Sequence, residues 1–406
     1  MIYFVVLFLI FLCVYAFDYR KYSRLNSFSY WAIFVILVLI AGFRYRIGTD
    51  SIVYENAFSE IYPLWQMDKF DFDSTRFEPG FLIFASIPRI FSDDFTVMQI
   101  FEALIVNFVI FWFILKNTNH KFLCLSFYYL ILYLNLNTQV MREALAVSLF
   151  LLAWPSFRDG KWWWYYGIMI FATFMHTSAA LTLFLPLFCL PGVNYCFRLG
   201  KRTIPISLAI LAFGFFLQTK FYSLLKLLSS ADRVQDLARN YEHQDIGGGV
   251  LNLTGIVTLF LTTALFPLLA LYFTKQKTKK DNDPEETARF KKLEIMVMTG
   301  YYLFLFAIPI FIFVRYNNYF GMFYFVLIAS WLANKVVVRN KVKKVKFYYW
   351  VLILFPYYFL NFYSYFASAN KSGTIRTYTV YYPYSHRLDP QRDPAREAAF
   401  RYFNVR

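Results

Sequence analysis

Residues 162–192 read WWWYYGIMIFATFMHTSAALTLFLPLFCLPG, two apolar runs joined by His176, Thr177 and Ser178. Each run has about 14–15 residues, so an α-helix over either one spans about 22 Å at about 1.5 Å per residue. The hydrocarbon core of a bilayer is about 30 Å thick. If both helices lie in a membrane, the polar turn between them lies below its surface. Polar backbone survives at that depth only where it lines a water-filled cavity or is buried in protein.

The composition of the whole chain favours a membrane protein. Of the 406 residues, 59% are apolar and 16% are charged, against about 25% charged in soluble domains. The 50 Phe and 33 Tyr exceed what a soluble core of this size can hide, and lipid is the natural solvent for such a surface. Apolar runs cover residues 2–17, 30–43, 79–92, 97–115, 122–137, 139–154, 162–176, 177–192, 203–219, 250–273, 294–314, 318–334 and 347–366. We therefore expect an all-α integral membrane protein that forms one polytopic domain over residues 1–406.

Basic residues in short loops orient the chain. The formal charge is +16, and Lys and Arg gather in loops 20–24, 116–121, 158–161, 198–202, 275–292 and 335–346. The positive-inside rule assigns such loops to the cytoplasm, and no nucleic-acid-binding motif accompanies them, so nucleic acid is not an expected partner. Successive basic loops require an even number of crossings between them. The count gives about 12 transmembrane helices with both termini outside. Residues 79–92 become a re-entrant segment, because this short run contains Pro79, Pro88 and Arg89.

The remaining segments predict a polar cavity on the outer side. Residues 122–154 form a second short hairpin, whose turn contains Asn135, Gln139 and Arg142. This turn opens to the same side as His176, so the two turns together predict an outward-facing polar cavity. The outer loop 43–78 leads into the re-entrant segment, and residues 367–406 form a C-terminal tail. The amphipathic outer loop 220–249 ends in three glycines and suits either a lid or a simple connector.

Two residues interrupt the apolar runs where this cavity is expected. Arg142 begins an otherwise apolar helix, and a charge at membrane depth costs a few kcal/mol. It is either an arginine that reaches the outer headgroups or an anion site, since the guanidinium presents a fixed fork of donors. His176 is either a satisfied core residue or a functional one. As neutral imidazole it could act as a general base, and as imidazolium it could neutralise phosphate.

Further charged residues lie on the same predicted side. Arg44, Arg46 and Asp50 follow the second span and either present cations to an anion or anchor the chain at the interface. Glu78 precedes Pro79 and is either a helix cap or a catalytic carboxylate. Arg315 lies between the runs 294–314 and 318–334. Arginines at three separate places on one side call for an anionic ligand, and a diphosphate fits.

Metal and cysteine chemistry find little support in the sequence. There is no HExxH helix and no DxD, so metal dependence is not expected, and a P-loop and a GxSxG elbow are also absent. The four cysteines follow no CxxC or metal spacing and are interpreted as core residues without a disulfide framework. No cofactor is expected.

Four short motifs resemble one family of polysaccharide-synthesis proteins. They are FRYRIGTDSIVY at residues 43–54, EPGF at 78–81, QVMREALA at 139–146 and HTSA at 176–179. In this order, over about 140 residues, they resemble the motifs of the EpsG family, which includes Wzy-type O-antigen and capsule polymerases. Two positions depart from the family pattern. Glu143 stands where the family has a neutral amide, and Thr177 where an aromatic often follows the histidine.

The resemblance implies a glycosyltransferase of the bacterial inner membrane with a GT-C-like architecture and an active site facing the periplasm. Such enzymes move a glycan from undecaprenyl diphosphate onto a new lipid-linked repeat unit, and a chain-length regulator belongs to their expected partners. As a hypothesis, the diphosphate is bound by Arg142, Arg44, Arg46 and Arg315, by the logic of phosphate clamps. The expected base is His176 or Asp50, with Glu78 in reserve. Further substrate contacts are expected at Tyr54, Gln139 and Glu143.

Two other functions fit much of the same sequence. A flippase or transporter of lipid-linked glycan would also be polytopic, but its polar residues should gather near the midplane of two pseudo-symmetric halves. Here they gather at one face, and no repeat is visible in the sequence. An O-antigen ligase shares the donor chemistry and differs only in its acceptor. Polymerisation of repeat units is the favoured prediction.

Overall fold

The computed structural model describes residues 2–72, 75, 77–228, 257, 260–281, 283–337 and 377–404. Within these ranges every regular element is a helix, and the β contacts are isolated bridges that pair His386 with Arg44 and with Asp389. The all-α prediction is confirmed for the described chain. Most of the predicted lid, residues 229–249, lies outside the described residues, and so do the last apolar run, 347–366, and residues 367–376 of the tail.

The described α-helices are numbered in chain order. They are α1 (Ile2–Cys13), α2 (Asn26–Gly42), α3 (Ser51–Glu60), α4 (Pro79–Ser86), α5 (Phe95–Asn117), α6 (Lys121–Tyr128), α7 (Met141–Arg158), α8 (Trp162–Met175), α9 (Thr203–Leu228), α10 (Phe266–Asp281), α11 (Pro284–Ala307), α12 (Tyr316–Val337) and α13 (Pro394–Asn404). Short 3-10 segments lie at Leu64–Lys69, Pro88–Ile90, Phe311–Arg315 and Thr377–Val380, and a long one at Thr177–Cys189. Turns of π-helix lie at Val14–Tyr19, Tyr129–Tyr133, Asn135–Gln139 and Leu261–Leu265.

The helices are apolar on their outer surface as well as in the core. Phe8, Trp163 and Phe213 are among many large apolar side chains that stay exposed, as expected where lipid replaces water. Among the residues that the structure describes, two helices, Ile2–Tyr19 and Phe95–Asn117, are long and apolar enough to cross a membrane. Shorter apolar helices occupy Asn26–Gly42, Pro79–Ile90, Lys121–Tyr133, Thr177–Cys189 and Thr203–Gln218. These surfaces fit a membrane-integral protein, and the number of crossings stays a prediction.

The hairpin of residues 162–192 breaks at His176, as the sequence predicts. Helix α8 has 14 residues, His176 is extended, and the following 13 residues form a 3-10 helix that contains Pro186. A 3-10 helix rises about 2.0 Å per residue, so this second arm is about 26 Å long, against about 21 Å for α8. The expectation of two α-helical arms is therefore wrong for the second one, which is stretched. Pro186 contributes, because it has no N–H to donate to an α-helical ladder.

A buried amide network holds the other polar turn, between α6 and α7. Asn107 Nδ2 donates to Asn137 Oδ1 at 2.6 Å, the Tyr128 hydroxyl donates to Asn107 Oδ1 at 2.9 Å, and Asn137 Nδ2 donates to the Tyr128 hydroxyl at 2.8 Å. All three residues are fully buried. A buried polar network that is fully paired specifies one arrangement of its chain segments. It fixes the π turn Asn135–Gln139, and with it the start of α7.

The described basic loops lie at one end of the bundle, called the basic end. It comprises residues 20–24, 116–121, 158–161, 198–202 and 275–292. Lys292 lies over the Trp162 ring, with Nζ 4.6 Å from the ring centroid. Lys275 Nζ donates to the carbonyl oxygen of Leu199 at 2.8 Å. These contacts agree with the sequence-based expectation that the basic loops share one side.

His120 differs from the lysines around it at the basic end. Its Nδ1 lies 3.4 Å from Lys21 Nζ. Burial, and then the charge of Lys21, lower the pKa of His120 to about 4. At neutral pH this side chain is therefore uncharged, and the positive charge of its loop comes from the lysines.

The opposite end, called the Arg142 end, collects residues 43–50, 78–94, 135–142, 176–178, 311–315 and 377–404. Glu78 contacts Arg142 here, and Asp94 contacts Arg387 of the tail. Both ends of the segment 79–92 therefore lie at the same end of the bundle, and its re-entrant character stays a prediction. The tail lies at the same end as the loop 43–50, and the side of the membrane on which this end lies stays a prediction.

Candidate active site

Local sequence explains where Arg142 and Glu78 lie. Arg142 is in the first turn of α7, directly after the π turn, and Glu78 precedes Pro79, which begins α4. Proline is well suited to a first helical position. Gly80 lets α4 approach α8 closely, since a Cβ there would come within 2.7 Å of the carbonyl oxygen of Phe174. This contact carries Glu78 to the turn that follows α8.

Arg142 is held by an acid and by aromatic rings. Its Nη1 donates to Glu78 Oε2 at 2.5 Å, and its guanidinium carbon lies 4.7 Å from the centroid of the Phe77 ring. The Tyr54 ring lies 5.8 Å from the Phe77 ring, centroid to centroid, and Tyr54 interacts electrostatically with the same guanidinium. The Arg142 side chain keeps 20% of its surface exposed. It is therefore fixed in place and still open to a ligand.

Glu78 connects Arg142 to the turn around His176. Its Oε1 accepts a hydrogen bond of 3.3 Å from the backbone N–H of Thr177. The sequence left open whether Glu78 caps a helix or acts as a catalytic carboxylate. In the structure its side chain makes no capping bond to α4 and bridges two other segments.

The hydrogen bonds of His176 define its tautomer. Nδ1 accepts from the backbone N–H of Ser178 at 3.1 Å and lies 2.6 Å from Ser178 Oγ. A ring nitrogen that accepts a backbone N–H carries no proton, so the proton of neutral His176 is on Nε2. Ser178 Oγ lies 2.8 Å from the Tyr319 hydroxyl, and the Tyr316 hydroxyl donates to the Ser178 carbonyl at 3.0 Å. In this arrangement His176 offers a donor at Nε2.

Glu143 and Arg315 complete the cluster. Glu143 is buried and accepts a 2.7 Å hydrogen bond at Oε1 from Asn318 Nδ2, and Asn318 Oδ1 accepts one of 3.0 Å from Asn135 Nδ2. The charge of Arg315 acts on both Glu143 and His176. The charge of Arg142 also acts on His176. Two cations thus flank the histidine.

The other arginines of the sequence-based hypothesis lie apart from this cluster. Arg44 is buried, with Nη1 2.5 Å from the Ala41 carbonyl oxygen and 3.9 Å from Glu102 Oε2. Arg46 Nη1 pairs with Glu397 Oε1 of the tail at 2.9 Å. Neither is joined to Arg142 by a contact between described residues.

Two more predicted residues lie at the edge of the cluster. Asp50 accepts a 3.3 Å hydrogen bond from Thr49 Oγ1 and immediately precedes α3, one helical turn before Tyr54. Gln139 is half-buried at the last position of the π turn. The structure thus brings together Arg142, Glu78, Tyr54, His176, Glu143 and Arg315.

Sequence reasoning missed the contribution of α12. Asn318 and Tyr319 support Glu143 and Ser178, and Tyr316 also contacts Ser178. The available signal was the string RYNNY at residues 315–319, which places polar groups at the start of an apolar run.

The chemistry of the cluster suits an anion with a hydroxyl partner. Two arginines provide charge, His176 Nε2–H provides a donor, and the carboxylates can accept a proton. No group of three His, Cys, Asp or Glu in the described parts of the chain could hold a metal ion.

Fold and site together define a class of protein: an integral membrane protein whose helical bundle carries a cluster of arginines, carboxylates and a histidine at one end. Comparison with known proteins identifies the family within this class. The model of the EpsG family matches residues 27–386, and the chain belongs to that family, a glycosyltransferase-like polymerase family of polysaccharide biosynthesis. The resemblance inferred from the four motifs is thereby confirmed. No curated protein and no solved structure gives a significant match.

Proposed function

We propose that the protein polymerises undecaprenyl-diphosphate-linked oligosaccharide repeat units into O-antigen or capsular polysaccharide, at the periplasmic face of the bacterial inner membrane. The observation that carries the proposal is the cluster of Arg142, Glu78, His176 and Arg315 at the end of the bundle opposite the basic loops. By the positive-inside rule, that end faces the periplasm.

The leaving group is the undecaprenyl diphosphate of the growing chain. Arg142 presents the bidentate fork that suits a phosphate oxygen pair, and Arg315 supplies a second positive charge that acts on His176. In the free protein Glu78 occupies the Arg142 fork at 2.5 Å. A bound diphosphate competes for that fork and frees the carboxylate. Substrate binding thus makes the Glu78 carboxylate available to accept a proton.

The reaction forms one bond and breaks one. An acceptor hydroxyl of the new repeat unit attacks the anomeric carbon of the donor sugar, while the bond from that carbon to the diphosphate oxygen breaks. The electron pair leaves with the diphosphate, and Glu78 takes the proton of the hydroxyl. His176 donates from Nε2–H to a substrate oxygen, because Ser178 holds Nδ1 as an acceptor. Negative charge develops on the leaving diphosphate, and the main electrostatic task of the site is to stabilise that charge.

An apolar cavity beside the cluster supports a lipid-linked donor. It measures about 230 Å³ and is lined by Leu181, Leu185, Tyr302, Phe306 and Tyr316, among other residues. The Tyr316 hydroxyl also bonds to the Ser178 carbonyl, so the cavity adjoins the polar cluster. A substrate with a charged head and an apolar tail matches this arrangement.

Reconstitution tests the proposal. Purified protein in proteoliposomes is given a defined undecaprenyl-diphosphate-linked repeat unit, with and without EDTA, and products are separated on a gel. We expect a ladder of polymers in both conditions, and none with Arg142→Ala. The exposed Arg289→Ala at the basic end is the control and should leave the ladder unchanged. If intact lipid-linked repeat units move between the leaflets and no polymer forms, the protein is a transporter. If one glycan is transferred onto lipid A core, it is a ligase.

A further inference from the structure

We propose that residues 377–404 form a C-terminal strap that positions the loop 43–50 and α3 over the site, with Glu397 and Arg387 as positioning residues. The strap acts through Tyr54 on Arg142, so its effect on activity rests on the proposed function. The segment begins with the 3-10 turn Thr377–Val380 and ends with α13.

Backbone hydrogen bonds join the strap to the loop. The N–H of Tyr45 donates to the Ser385 carbonyl at 2.9 Å, and the N–H of Arg387 donates to the Phe43 carbonyl at 2.9 Å. Nearby, the N–H of Gly48 donates to the carbonyl oxygen of Val380 at 3.3 Å. The loop satisfies these backbone groups with the strap rather than within a helix or sheet of its own.

A network of charges closes the same contact. Arg46 pairs with Glu397 at 2.9 Å and lies 3.6 Å from Glu55. Arg387 pairs with Glu55 at 3.4 Å and with Asp94 at 3.3 Å. Although burial raises the pKa of Asp94, hydrogen bonds from Thr96 and the charge of Arg387 hold it below its usual value. The strap therefore connects α3 and α5 as well as the loop.

Apolar side chains separate this contact from the rest of the bundle. Ile47, Val380, Tyr381, Ala399 and Phe400 form a buried cluster of their own. Ile47 is the loop's member, and the other four belong to the strap. Docking the strap thus buries the loop's apolar residue, which would otherwise lie exposed.

The loop in turn touches the active site. Gly48 has φ 97°, and a Cβ there would lie 1.8 Å from the carbonyl oxygen of Thr138, in the π turn before Arg142. Arg46 also has a positive φ, of 49°, which is unfavourable for a residue other than glycine. Helix α3 follows at Ser51 and carries Tyr54, whose ring lies 5.8 Å from the Phe77 ring on which Arg142 stacks. A loop with such backbone geometry needs outside contacts to keep it, and the strap supplies them.

Charge reversal tests the strap. Glu397→Arg places two cations together at Arg46, whereas the conservative variant Glu397→Asp keeps an acid opposite Arg46 and leaves the Arg46–Glu55 pair in place. The matched control is Glu285→Arg, which disrupts an exposed pair with Arg289 in the first turns of α11. Two measurements are made on the full-length protein in detergent or proteoliposomes: hydrogen–deuterium exchange of residues 43–56, and polymerisation kinetics.

We expect Glu397→Arg to raise exchange at residues 43–56 and to lower kcat on the order of 10-fold, since small misplacements of a catalytic group are costly. KM should change little, because the substrate-contacting residues remain. Glu397→Asp should keep both readouts near the wild-type values, and Glu285→Arg should change neither.

Two results would overturn the strap: unchanged exchange in Glu397→Arg, or raised exchange with normal kcat. Failure of the proposed function is a different result, in which the wild-type protein itself makes no polymer. In that case the exchange measurement still decides whether the strap holds the loop. The role of the strap in positioning catalytic residues would then be overturned together with the proposed function.

Discussion

Two pairs of arginines in this protein share a predicted role and differ in their surroundings. Arg142 and Arg315 flank His176, and the Arg142 side chain is partly exposed beside a single carboxylate. Arg44 is 2% exposed and faces the fully buried Glu102, while Arg46 is shared between Glu55 and Glu397. In the proposed function, Arg142 exchanges Glu78 for the diphosphate of the substrate. The second pair is engaged by protein on several sides.

The difference shows that an arginine near a membrane surface acquires its role from its partners. A buried ion pair costs much to break, because the remaining charge is left uncompensated. Arg44 therefore contributes to the fold, in contrast to Arg142. The Arg44–Glu102 pair ties the second helix to the fifth, while Arg142 lies where three segments meet. Substitutions at three positions sharpen this comparison.

The largest effect is expected from Arg142→Ala. Loss of one preorganised donor at a developing charge lowers the rate by about 100-fold or more. In a deletion strain that carries the variant, long-chain polymer should disappear at normal protein levels, as seen by gel and immunoblot. Long ladders from a normally expressed Arg142→Ala protein would place the diphosphate elsewhere.

Glu102→Ala tests the other pair. It leaves Arg44 buried without its acid, which costs about 3–5 kcal/mol of stability. Thermal unfolding of the detergent-purified protein should shift strongly to lower temperature. Glu285→Ala, at an exposed pair, is the control and should stay within about 0.5 kcal/mol of wild type. Equal behaviour of the two variants would mean that the Arg44–Glu102 pair does not support the fold.

Smaller effects on the polymerisation rate should show whether His176 acts as a hydrogen-bond donor or as the general base. His176→Gln keeps a donor near the position of Nε2–H, whereas His176→Ala removes it. If His176 donates, the glutamine variant retains a measurable part of the polymerisation rate and the alanine variant falls at least about 10-fold below it. If His176 is the base, both variants lose the full contribution of proton transfer, about 100-fold or more, and become indistinguishable.

The sequence predicted those features that depend on local pattern. The all-helical fold followed from the apolar runs, and the break at His176 from one polar turn in the run of residues 162–192. The meeting of Glu78, Arg142, His176 and Arg315 followed from assigning each to the same side of the membrane. These inferences need only the order of apolar and polar residues along the chain.

Long-range contacts could not be predicted in this way. Glu102 lies in an apolar run and was a visible signal for a buried partner, but nothing local identifies that partner as Arg44. The pairing of Arg46 with Glu397 joins residues 351 positions apart. The 3-10 arm after His176 was also unforeseen, because an apolar run of this length is compatible with either helix type.

The most direct test of the central claim measures the sidedness of α8. Lys161 and Thr177 lie at its two ends and are both exposed. Each is replaced by cysteine in a protein lacking its four native cysteines, and spheroplasts are treated with a membrane-impermeant maleimide. We predict that position 177 reacts from outside, while position 161 reacts only after permeabilisation. Labelling of 161 from outside, or no reaction at 177 under either condition, would contradict a water-filled site on the periplasmic side.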